Sequence, residues 1–556
     1  MLGGLKRLIL SRAIRSADGE KEGGDRAAFL AIEALLHDRK FEVAKDAAQL
    51  LFERRPTPNS LQAYLHTLAC LGDDLTSGEL LARSDVAALV AHATGPYLRS
   101  AWANEESRRR LAAAAASEPV SHRPKSGEGP RRIGYFLHNA RPFASGGYAI
   151  RSHEVARAVA AAGYLPTVFA RSGFPRDLGP DSAALDISPR AFDGVPYVYS
   201  DSPAKDGFLY RYIENGARHY EALMERHMLD IVHAASNYQV ALPAALAARR
   251  RGLPFVYEVR SFWEMTRVSW DPGYAERPEA RRNEGLEQLC LDMATTVLTL
   301  NRSMADRLAA RGVDRRRLFV LPNCVDADRL TPRPRDRELA GRLGIAPGDV
   351  VIGYVGTFVP YEGLDLLIRA FSEVHAREPL VKLLLVGDDR PLPVAMRVPT
   401  SDRLRELAAG TGLGRDIIFA GRVSVAEVAV YYSLIDICPF PRRRHEVCQI
   451  TSPLKPLEAL AMGKCVLVSD VEGMRDMVEE GVTGLRFESG NVEALAEQLL
   501  QAVQRMELRR TVSAAGRQWV RDHRTWDSLR VPLKEAYRHA WQATDADLSR
   551  CSATAA

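Results

Sequence analysis

From Arg132 onward, short apolar segments alternate with longer amphipathic ones, and this alternation constrains the fold of the 556-residue chain more than any other feature. One series of apolar segments comprises RIGYFLH, LPTVFAR, DIVHAAS, PFVYEVR, TTVLTL and LFVLPN. A second series comprises VVIGYVG, KLLLVGD, DIIFAG, DICPFP and CVLVSD. Alternating strands and helices predict a parallel sheet with right-handed crossovers and helices on both faces. Two such series therefore predict an α/β protein with two Rossmann-like domains.

Changes in composition set the predicted domain boundaries. The segment SEPVSHRPKSGEGPR is rich in Pro, Gly, Ser and charge, which predicts a linker. The predicted order is a helical extension at 1–116, this linker at 117–131, a first Rossmann-like domain at 132–330, a second at 349–520 and a helix at 521–545 that crosses back to the first domain. The segment TPRPRDRELAGRLGIAPGD is predicted to separate the two domains. Because such sheets bind ligands where their strands end, the interdomain cleft is the expected site.

The extension has apolar residues at helical spacing in DRAAFLAIEALLHDRKF and in EVAKDAAQLLFERRP. The second of these segments, with SLQAYLHTLACLGD, resembles one tetratricopeptide-like hairpin, although no repeat period is visible. The N-terminal MLGGLKRLILSRAIRS has no signal-peptide cleavage site. We favour a plain first helix there over a basic amphipathic helix on an anionic membrane surface. Contact of these helices with a membrane or a protein partner stays an open alternative.

Charge and cysteine usage narrow the function classes. The 75 basic and 70 acidic residues give a dilute net charge of +5, which argues against a nucleic-acid partner. The 7 cysteines include no Cys-x-x-Cys pair, which favours a reducing compartment. No stretch approaches the roughly 18 to 20 apolar residues of a membrane span. We therefore expect a cytoplasmic protein, with peripheral attachment to the inner membrane as the alternative.

Two glycines follow the first strand of the first series, in Ser145-Gly146-Gly147-Tyr148. Glycines let the backbone approach a ligand closely, and the N-terminus of the following helix favours an anion. The motif lacks the third glycine and the downstream acidic residue of a dinucleotide fingerprint. It predicts either a ligand loop or a tight turn that needs positive φ.

The segment SPLKPLEALAMGK at residues 452–464 opens a helix before the buried strand CVLVSD. Ser452 is the predicted N-cap, and a proline follows in the first turn. Such a helix N-terminus at the end of a strand suits a diphosphate. Lys455 opposes the helix dipole in the first turn, which a ligand phosphate would explain. Glu458, one turn later, is a candidate acceptor of hydrogen bonds from a ribose diol.

Residues 132–541 resemble family 4 of the retaining glycosyltransferases, which have the GT-B fold. The resemblance rests on segments in matching order: SGGYAIR, PFVYEVRSFWE, LFVLPNCVD, GYVGTFVPYEGLDLLIRAF, LLLVGD, IIFAGRVSVAEVAVYYSLIDI and SPLKPLEALAMGKCVLVSDVEGMRDMVEEGVTGLRF, with a closing helix around Trp526. The YEVRSFWE and YEGLD variants resemble a subfamily associated with bacterial exopolysaccharide or capsule loci.

The resemblance, together with the motifs above, implies a set of site residues. The expected catalytic residues are Lys455, Glu458 and Arg260. The expected donor-binding residues are Gly146, Gly147, Gly356, Thr357, Asp388, Gly421, Arg422, Val423, Ser452, Leu454 and Leu457. The acceptor-side candidates are Tyr148, Arg151, His233, Glu258 and Glu264. Asn323 is expected near the hinge between the domains.

The sequence departs from the family pattern at several positions. The usual first glutamate, eight residues before Glu458, is Ile450. The usual Arg and Lys of the second domain's first loop are Thr357 and Glu362. Lys455, helped by Arg442, is the candidate replacement for their charge. The usual first-domain histidine is Arg260, which cannot act as a base but could clamp a phosphate or an acidic acceptor.

The predicted function is retaining transfer of a sugar from a nucleoside-diphosphate sugar to a glycan or lipid-linked acceptor, in bacterial surface polysaccharide synthesis. By resemblance, no metal and no cofactor are required, and the leaving diphosphate takes the acceptor proton. The alternatives are a catalytically weak binding or scaffold subunit, a sugar-nucleotide epimerase and, with less support, a dinucleotide oxidoreductase. The Asp-x-Asp pairs at 326–328 and 545–547 are interpreted as incidental. His138 and His233 fit a core position or a substrate contact equally well.

Overall fold

A computed structural model describes residues 23–37, 40–91, 96–116, 130–144, 146–205, 207–269, 271–389 and 400–543. The basic N-terminal segment, Ser145, most of the predicted linker and the Asp-x-Asp pair of the tail lie outside the described residues. Within those ranges, no helix is both long and apolar enough to cross a bilayer.

The N-terminal extension is helical, as predicted. Its helices are α1 Gly23–His37, α2 Phe41–Arg54, α3 Pro58–Leu71, α4 Asp74–Ala82, α5 Ser84–Ala91 and α6 Pro96–Ala116. Helices α2 and α3 pack together and bury Phe52, Leu61 and Leu68 in a core that all six helices of the extension share. A capping box between Thr57 and Ser60 starts α3, which explains the sharp break between the two helices.

The first α/β domain is built on an eight-stranded sheet in the order β3-β4-β2-β1-β5-β6-β7-β8. Its strands are β1 Arg132–Leu137, β2 Leu165–Ala170, β3 Arg190–Phe192, β4 Val195–Val198, β5 Ile231–Ala235, β6 Phe255–Val259, β7 Thr296–Thr299 and β8 Leu318–Val320. Its helices are α7 Gly147–Ala161, α8 Leu209–Arg226, α9 Tyr238–Arg250, α10 Trp263–Val268, α11 Pro278–Met293 and α12 Arg302–Ala310. All pairings are parallel except β3 with β4.

The second α/β domain has a six-stranded parallel sheet in the order β11-β10-β9-β12-β13-β14. Its strands are β9 Val350–Val355, β10 Val381–Val386, β11 Ile417–Gly421, β12 Ile437–Phe440, β13 Cys465–Ser469 and β14 Leu485–Phe487. Its helices are α13 Arg337–Arg342, α14 Leu364–Arg377, α15 Thr400–Gly410, α16 Val428–Leu434, α17 Glu446–Ile450, α18 Lys455–Ala461, α19 Val492–Gln504 and α20 Met506–His523. The strand order reverses between β9 and β12, the point where open sheets bind ligands.

Short 3-10 helices complete the two domains, at Arg176–Leu178, Pro180–Ser182, Pro272–Glu276, Arg315–Arg317, Pro360–Glu362, Glu472–Met474 and Trp526–Leu529. The last helix, α21 Arg530–Gln542, lies on the first domain, where Leu533 and Tyr537 join its core. The Tyr537 hydroxyl is 2.8 Å from His233 Nδ1 on β5. The C-terminus of the described chain thus ties the two domains together.

Four elements differ from the sequence prediction. Strands β3 and β4 form an antiparallel hairpin whose Asp193-Gly194 turn has positive φ at both residues, a turn chemistry that the sequence carries in FDGV. The short edge strand β14 was also missed. The segment predicted to separate the domains instead forms α13, and its Leu339 and Ile345 are buried in the core of the second domain.

Candidate active site in the interdomain cleft

The two motifs singled out in the sequence face each other across the cleft. Gly147 opens α7 and Leu454 precedes α18, and a Cβ added to Gly147 would lie 3.4 Å from Leu454 Cδ1. A Cβ at Gly146 would meet no atom within 4 Å. The glycine loop therefore leaves open space beside the N-terminus of α18, where an anionic group has room and a favourable dipole.

Lys455 is the first residue of α18. Its Nζ donates a hydrogen bond to the Tyr354 hydroxyl at 2.5 Å and lies 3.5 Å from both the Thr357 carbonyl and Glu362 Oε1. A Cβ at Gly356, whose φ is 154°, would overlap the Lys455 side chain. Burial lowers the pKa of Lys455, and Glu362 opposes this shift. The lysine thus crosses the end of β9 at the reversal point of the sheet.

Glu362 is the counter-ion of this lysine, a relation that the sequence did not reveal. Its carboxylate also accepts hydrogen bonds from Arg442, at 2.8 Å from Nη2 and 3.3 Å from Nε. The charges of Arg442 and Lys455 outweigh burial and lower the pKa of Glu362 to about 2. Arg442 Nη1 further donates to the Thr451 carbonyl at 3.1 Å. Arg442 therefore donates its hydrogen bonds to protein groups, while Lys455 lies nearer the cleft.

Glu458 lies one turn after Lys455 on the same face of α18. It is half-buried, and no described residue donates a hydrogen bond to its carboxylate. Burial raises its pKa, and the charges of Lys455 and Arg329 limit the rise. A carboxylate in this state has unused capacity to accept hydrogen bonds from a ligand.

The remaining donor-side candidates follow the strands that end at the same edge. Gly356 and Thr357 follow β9, Asp388 follows β10, and Arg422 and Val423 follow β11. Gly421 has a φ of 72°, and its carbonyl accepts the Gly387 amide at 2.8 Å. Arg422 donates to the Asp389 carbonyl at 2.7 Å. These residues form one continuous rim from β9 to β11.

Ser452 is not the N-cap of α18, because the helix begins at Lys455 and Leu454 precedes it without a side-chain cap. Its Oγ instead accepts from Asn301 at 2.7 Å, and its carbonyl accepts from Asn323 at 2.6 Å. Both asparagines belong to the first domain, so this loop is an interdomain junction. Ser452 and Leu457 line a cavity of about 570 Å³ together with the two asparagines.

Arg260 lies in a buried network on the first sheet. It donates to Glu258 Oε2 and to Ser152 Oγ, at 2.8 and 2.7 Å, and contacts the Tyr135 hydroxyl. Arg151 holds the other oxygen of Glu258 and also donates to the Leu321 and Pro322 carbonyls and to Asn323, as the distances of 2.7, 2.9 and 2.8 Å show. The two guanidinium groups outweigh burial and hold the pKa of Glu258 well below its usual range.

The other acceptor-side candidates lie around this network. The ring of Tyr148 lies 4.6 Å from the Arg260 guanidinium, and its hydroxyl accepts the His138 amide at 3.0 Å. Burial lowers the pKa of His233 to about 4. Glu264 accepts from Arg311 at 3.1 Å and is buried, which raises its pKa. The structure thus brings Tyr148, Arg151, His233 and Glu258 together and places Glu264 apart, on α10.

Ile450 replaces the usual glutamate and is turned into the first domain. It ends α17, is 4% exposed, and packs in the apolar core that α9 and α12 share with the first sheet. Its carbonyl accepts from Asn301 at 2.9 Å, and nearby Glu446 pairs with Arg307 of α12. The position therefore holds the domains together.

Comparison with known proteins agrees with this architecture. Residues 146–324 match the model of the glycosyl transferase 4-like domain, and residues 336–519 match that of the glycosyl transferases group 1. The D-inositol 3-phosphate glycosyltransferase of Geodermatophilus obscurus is 28% identical over 401 residues, which cover 69% of this chain and 85% of that protein.

Two solved structures are similar in fold. Sucrose-phosphate synthase from Thermosynechococcus elongatus aligns with a TM-score of 0.58 at 20% identity and covers 74% of this chain and 100% of its own. The Anabaena HepE protein, solved with UDP-glucose, aligns with a TM-score of 0.56 at 16% identity. The alignment covers 73% of this chain and 99% of the HepE chain. With two parallel-sheet domains, a shared cleft and both family models matched in order, the chain is a glycosyltransferase with the GT-B fold.

Proposed function

We propose that the chain transfers a sugar from a nucleoside-diphosphate sugar to an acceptor hydroxyl, with retention of the anomeric configuration. The observation that carries this proposal is the pairing of Lys455 and Glu458 on one face of α18, opposite the Gly146-Gly147 loop. Lys455 and the helix N-terminus stabilise the leaving diphosphate, and Glu458 accepts hydrogen bonds from the ribose. The rim from β9 to β11 holds the nucleobase.

The proposed chemistry uses no protein nucleophile. Lys455 supplies part of the charge that the family places on the residues replaced by Thr357 and Glu362, so the protein offsets part of the negative charge of the leaving diphosphate. The diphosphate oxygen takes the proton of the attacking hydroxyl on the same face of the sugar. The chain contributes orientation and electrostatic stabilisation. On this proposal, turnover is independent of added divalent cations and survives EDTA.

The acceptor binds, in this proposal, at the carboxyl edge of the first sheet. Five of the buried polar atoms that have no hydrogen-bond partner among the described residues lie in the loops after β1, β2 and β5: His138 Nδ1, Asn139 Oδ1, Arg171 Nε, Ser172 Oγ and Asn237 Nδ2. An acceptor rich in hydroxyl groups would satisfy such atoms. The adjacent cation of Lys205 favours an acceptor that also carries a phosphate or carboxylate. Candidates are a surface-polysaccharide glycan, a lipid-linked glycan and a phosphorylated polyol of the kind named for the Geodermatophilus relative.

The test begins with thermal unfolding of wild type and Lys455→Ala with UDP, GDP, ADP and CMP. A nucleotide at ~100 times its Kd adds roughly 2.7 kcal/mol to the free energy of unfolding. We expect one nucleoside diphosphate to stabilise wild type and not the variant. The matching nucleotide sugar is then offered with D-inositol 3-phosphate and with oligosaccharides, with and without EDTA, and NMR of the product reports its anomeric configuration. No stabilisation by any diphosphate would overturn the proposal in favour of a scaffold protein, and an inverted product would overturn retention.

A further inference from the structure

The helical extension contacts the first domain at the first turn of α8. Asn104 Oδ1, on α6, accepts hydrogen bonds from the amides of Tyr210 and Arg211, at 2.9 and 3.1 Å. The residue that precedes α8, Phe208, offers no side-chain cap. Two amides that this helix leaves unpaired are therefore satisfied by a residue of the extension.

Other groups of the same turn reach into the extension. The Tyr210 hydroxyl donates to Asp74 Oδ2 at 2.7 Å. Phe208 packs against the extension's apolar core, with its ring 5.3 Å from that of Tyr97. In return, Leu111 of α6 is buried in the core of the first domain. The interface is thus made of shared cores and specific hydrogen bonds rather than loose surface contact.

The opposite side of this turn faces the acceptor edge. The Tyr212 hydroxyl donates to the Ser172 carbonyl in the loop after β2, at 2.8 Å. Lys205, in the loop after β4, lies 5.9 Å from the Tyr212 ring, and its Nζ donates to Gln239 Oε1 at 2.7 Å. One helical turn therefore joins the extension to two loops that border the proposed acceptor site.

A second anchor runs through α11. Gly72, at the end of α3, approaches so closely that an added Cβ would lie 2.7 Å from Glu279 Cα. Glu279 accepts from Arg267 of α10 at 2.7 Å, and α10 follows β6 at the same edge of the sheet. Asp74 lies 3.6 Å from Arg282. The extension thus contacts the first domain at α8 and at α11, on the two sides of the acceptor edge.

We propose that the extension is a positioning module for the acceptor half of the site, and that Asn104 is its principal positioning residue. By capping α8, Asn104 fixes Tyr212 and the loop residues 199–205 at the place where the acceptor binds. The role in acceptor binding rests on the proposed transferase function. The capping of α8 and the order that it imposes on the loops are independent of that proposed function.

The test uses the full-length chain and hydrogen–deuterium exchange without ligand. In Asn104→Ala, the amides of the first turn of α8 should exchange at least 10-fold faster, and those of residues 199–205 should follow. Asn104→Asp, whose carboxylate also caps a helix N-terminus, should restore wild-type exchange. Glu106→Gln, on the exposed face of α6, is the matched control and should change nothing. Unchanged exchange in Asn104→Ala, or a loss that Asn104→Asp does not rescue, would overturn the proposal.

Steady-state kinetics distinguish a positioning role of Asn104 from a role in the stability of the fold alone. With the acceptor that wild type uses, Asn104→Ala should raise the acceptor KM at least 5-fold while kcat and the donor KM stay within 2-fold. Equal changes in donor and acceptor KM would contradict a positioning role. A wild-type protein that uses no nucleotide sugar would defeat the proposed function alone, because the exchange experiment would still decide whether Asn104 orders the acceptor edge.

Discussion

Each α/β domain contains a buried carboxylate held by two cations, and the two clusters differ in one respect. In the first domain, Glu258 is 0% exposed and binds Arg151 and Arg260. In the second domain, Glu362 binds Arg442 and Lys455. Both carboxylates have a lowered pKa because the cations outweigh burial. The two clusters are therefore electrostatically similar.

The difference lies in exposure: the side chains of Arg151 and Arg260 are 3% and 7% exposed, whereas that of Lys455 is 21% exposed. Both guanidinium groups of the first cluster are directed at protein acceptors, so this cluster fastens β1, β6, α7 and the hinge together. In the second cluster, Lys455 lies at a helix N-terminus at the cleft, one turn before Glu458, whose carboxylate accepts no hydrogen bond from the residues that the structure describes. We infer that the first cluster serves stability and the second serves ligand binding. A buried ion cluster by itself thus does not mark a functional site.

The largest expected effect comes from Glu258→Gln. Removing one partner of a buried ion cluster leaves uncompensated charge and costs about 3–5 kcal/mol. At ~2–4 °C per kcal/mol for a domain of this size, Tm should fall by roughly 10 °C. Glu507→Gln, which breaks an exposed pair with Arg510, is the control and should cost less than ~1 kcal/mol. A wild-type Tm for Glu258→Gln would show that the first cluster is not structural.

Lys455→Ala should behave in the opposite way. Glu362 keeps its bidentate Arg442, so Tm should change little. Loss of one charged group that stabilises a leaving group typically costs about 100-fold or more in rate. We therefore expect kcat/KM to fall at least ~100-fold, measured with the nucleotide sugar that wild type uses. Lys382→Ala, which breaks a pair with Asp416 in the same domain, is the control. Wild-type turnover in Lys455→Ala would remove the second cluster from the site.

Glu458→Gln should weaken donor binding by a smaller amount. A hydrogen bond to a charged group contributes about 1.5–3 kcal/mol, so the nucleotide Kd should rise roughly 30-fold. Calorimetry with a nucleoside diphosphate and its 2′,3′-dideoxy analogue gives the sharper measurement. Wild type should prefer the ribose form, and this preference should be smaller in the variant, whose amide oxygen is a weaker acceptor. An undiminished preference in the variant would place the ribose elsewhere.

The smallest expected effect is a change in the free energy of unfolding with pH, and it arises from His233 beside the first cluster. His233 Nε2 lies 3.6 Å from Glu258 Oε2, and its folded pKa of about 4 is below the unfolded value of ~6.5. The neutral form is favoured on folding, so the stabilisation is complete above pH 6.5 and declines as the pH falls towards 4. Between pH 7.5 and 5.5 wild type should lose about 1.3 kcal/mol through this group. This loss of stability can be followed as the fall in Tm between the two pH values, and it should be smaller in His233→Gln. If the variant and wild type had the same dependence of Tm on pH, the contribution of His233 would be contradicted.

Sequence reasoning recovered the parallel strands because strands buried on both faces are continuous apolar runs. It missed β3, β4 and β14, each only three or four residues long, although the Asp193-Gly194 turn carried a hairpin signal. The alternation of strands and helices could be predicted from local sequence patterns, without knowledge of tertiary contacts. The boundary near residue 340 needed the structure, because α13 has too few apolar residues to show that it belongs to the core of the second domain.

Lys455 and Glu458 could be proposed from the sequence because they lie one turn apart on one short helix, and their role in the site stays a prediction. Glu362 was interpreted only as a lost cation, since its partners lie 80 and 93 residues further along the chain. The interdomain role of Ser452 was hidden for the same reason, because Asn301 and Asn323 lie in the other domain. The cytoplasmic location and a membrane or partner contact of the extension stay predictions.

The burial of Ile450 has a consequence for how the cleft opens. Any motion that separates the domains at α17 withdraws this side chain from an apolar core of the other domain and exposes it to water. Full exposure of an isoleucine costs about 1.5–3 kcal/mol. A glutamate at this position would carry no such penalty. Ile450 therefore opposes separation of the two domains at α17, whether or not a ligand is bound.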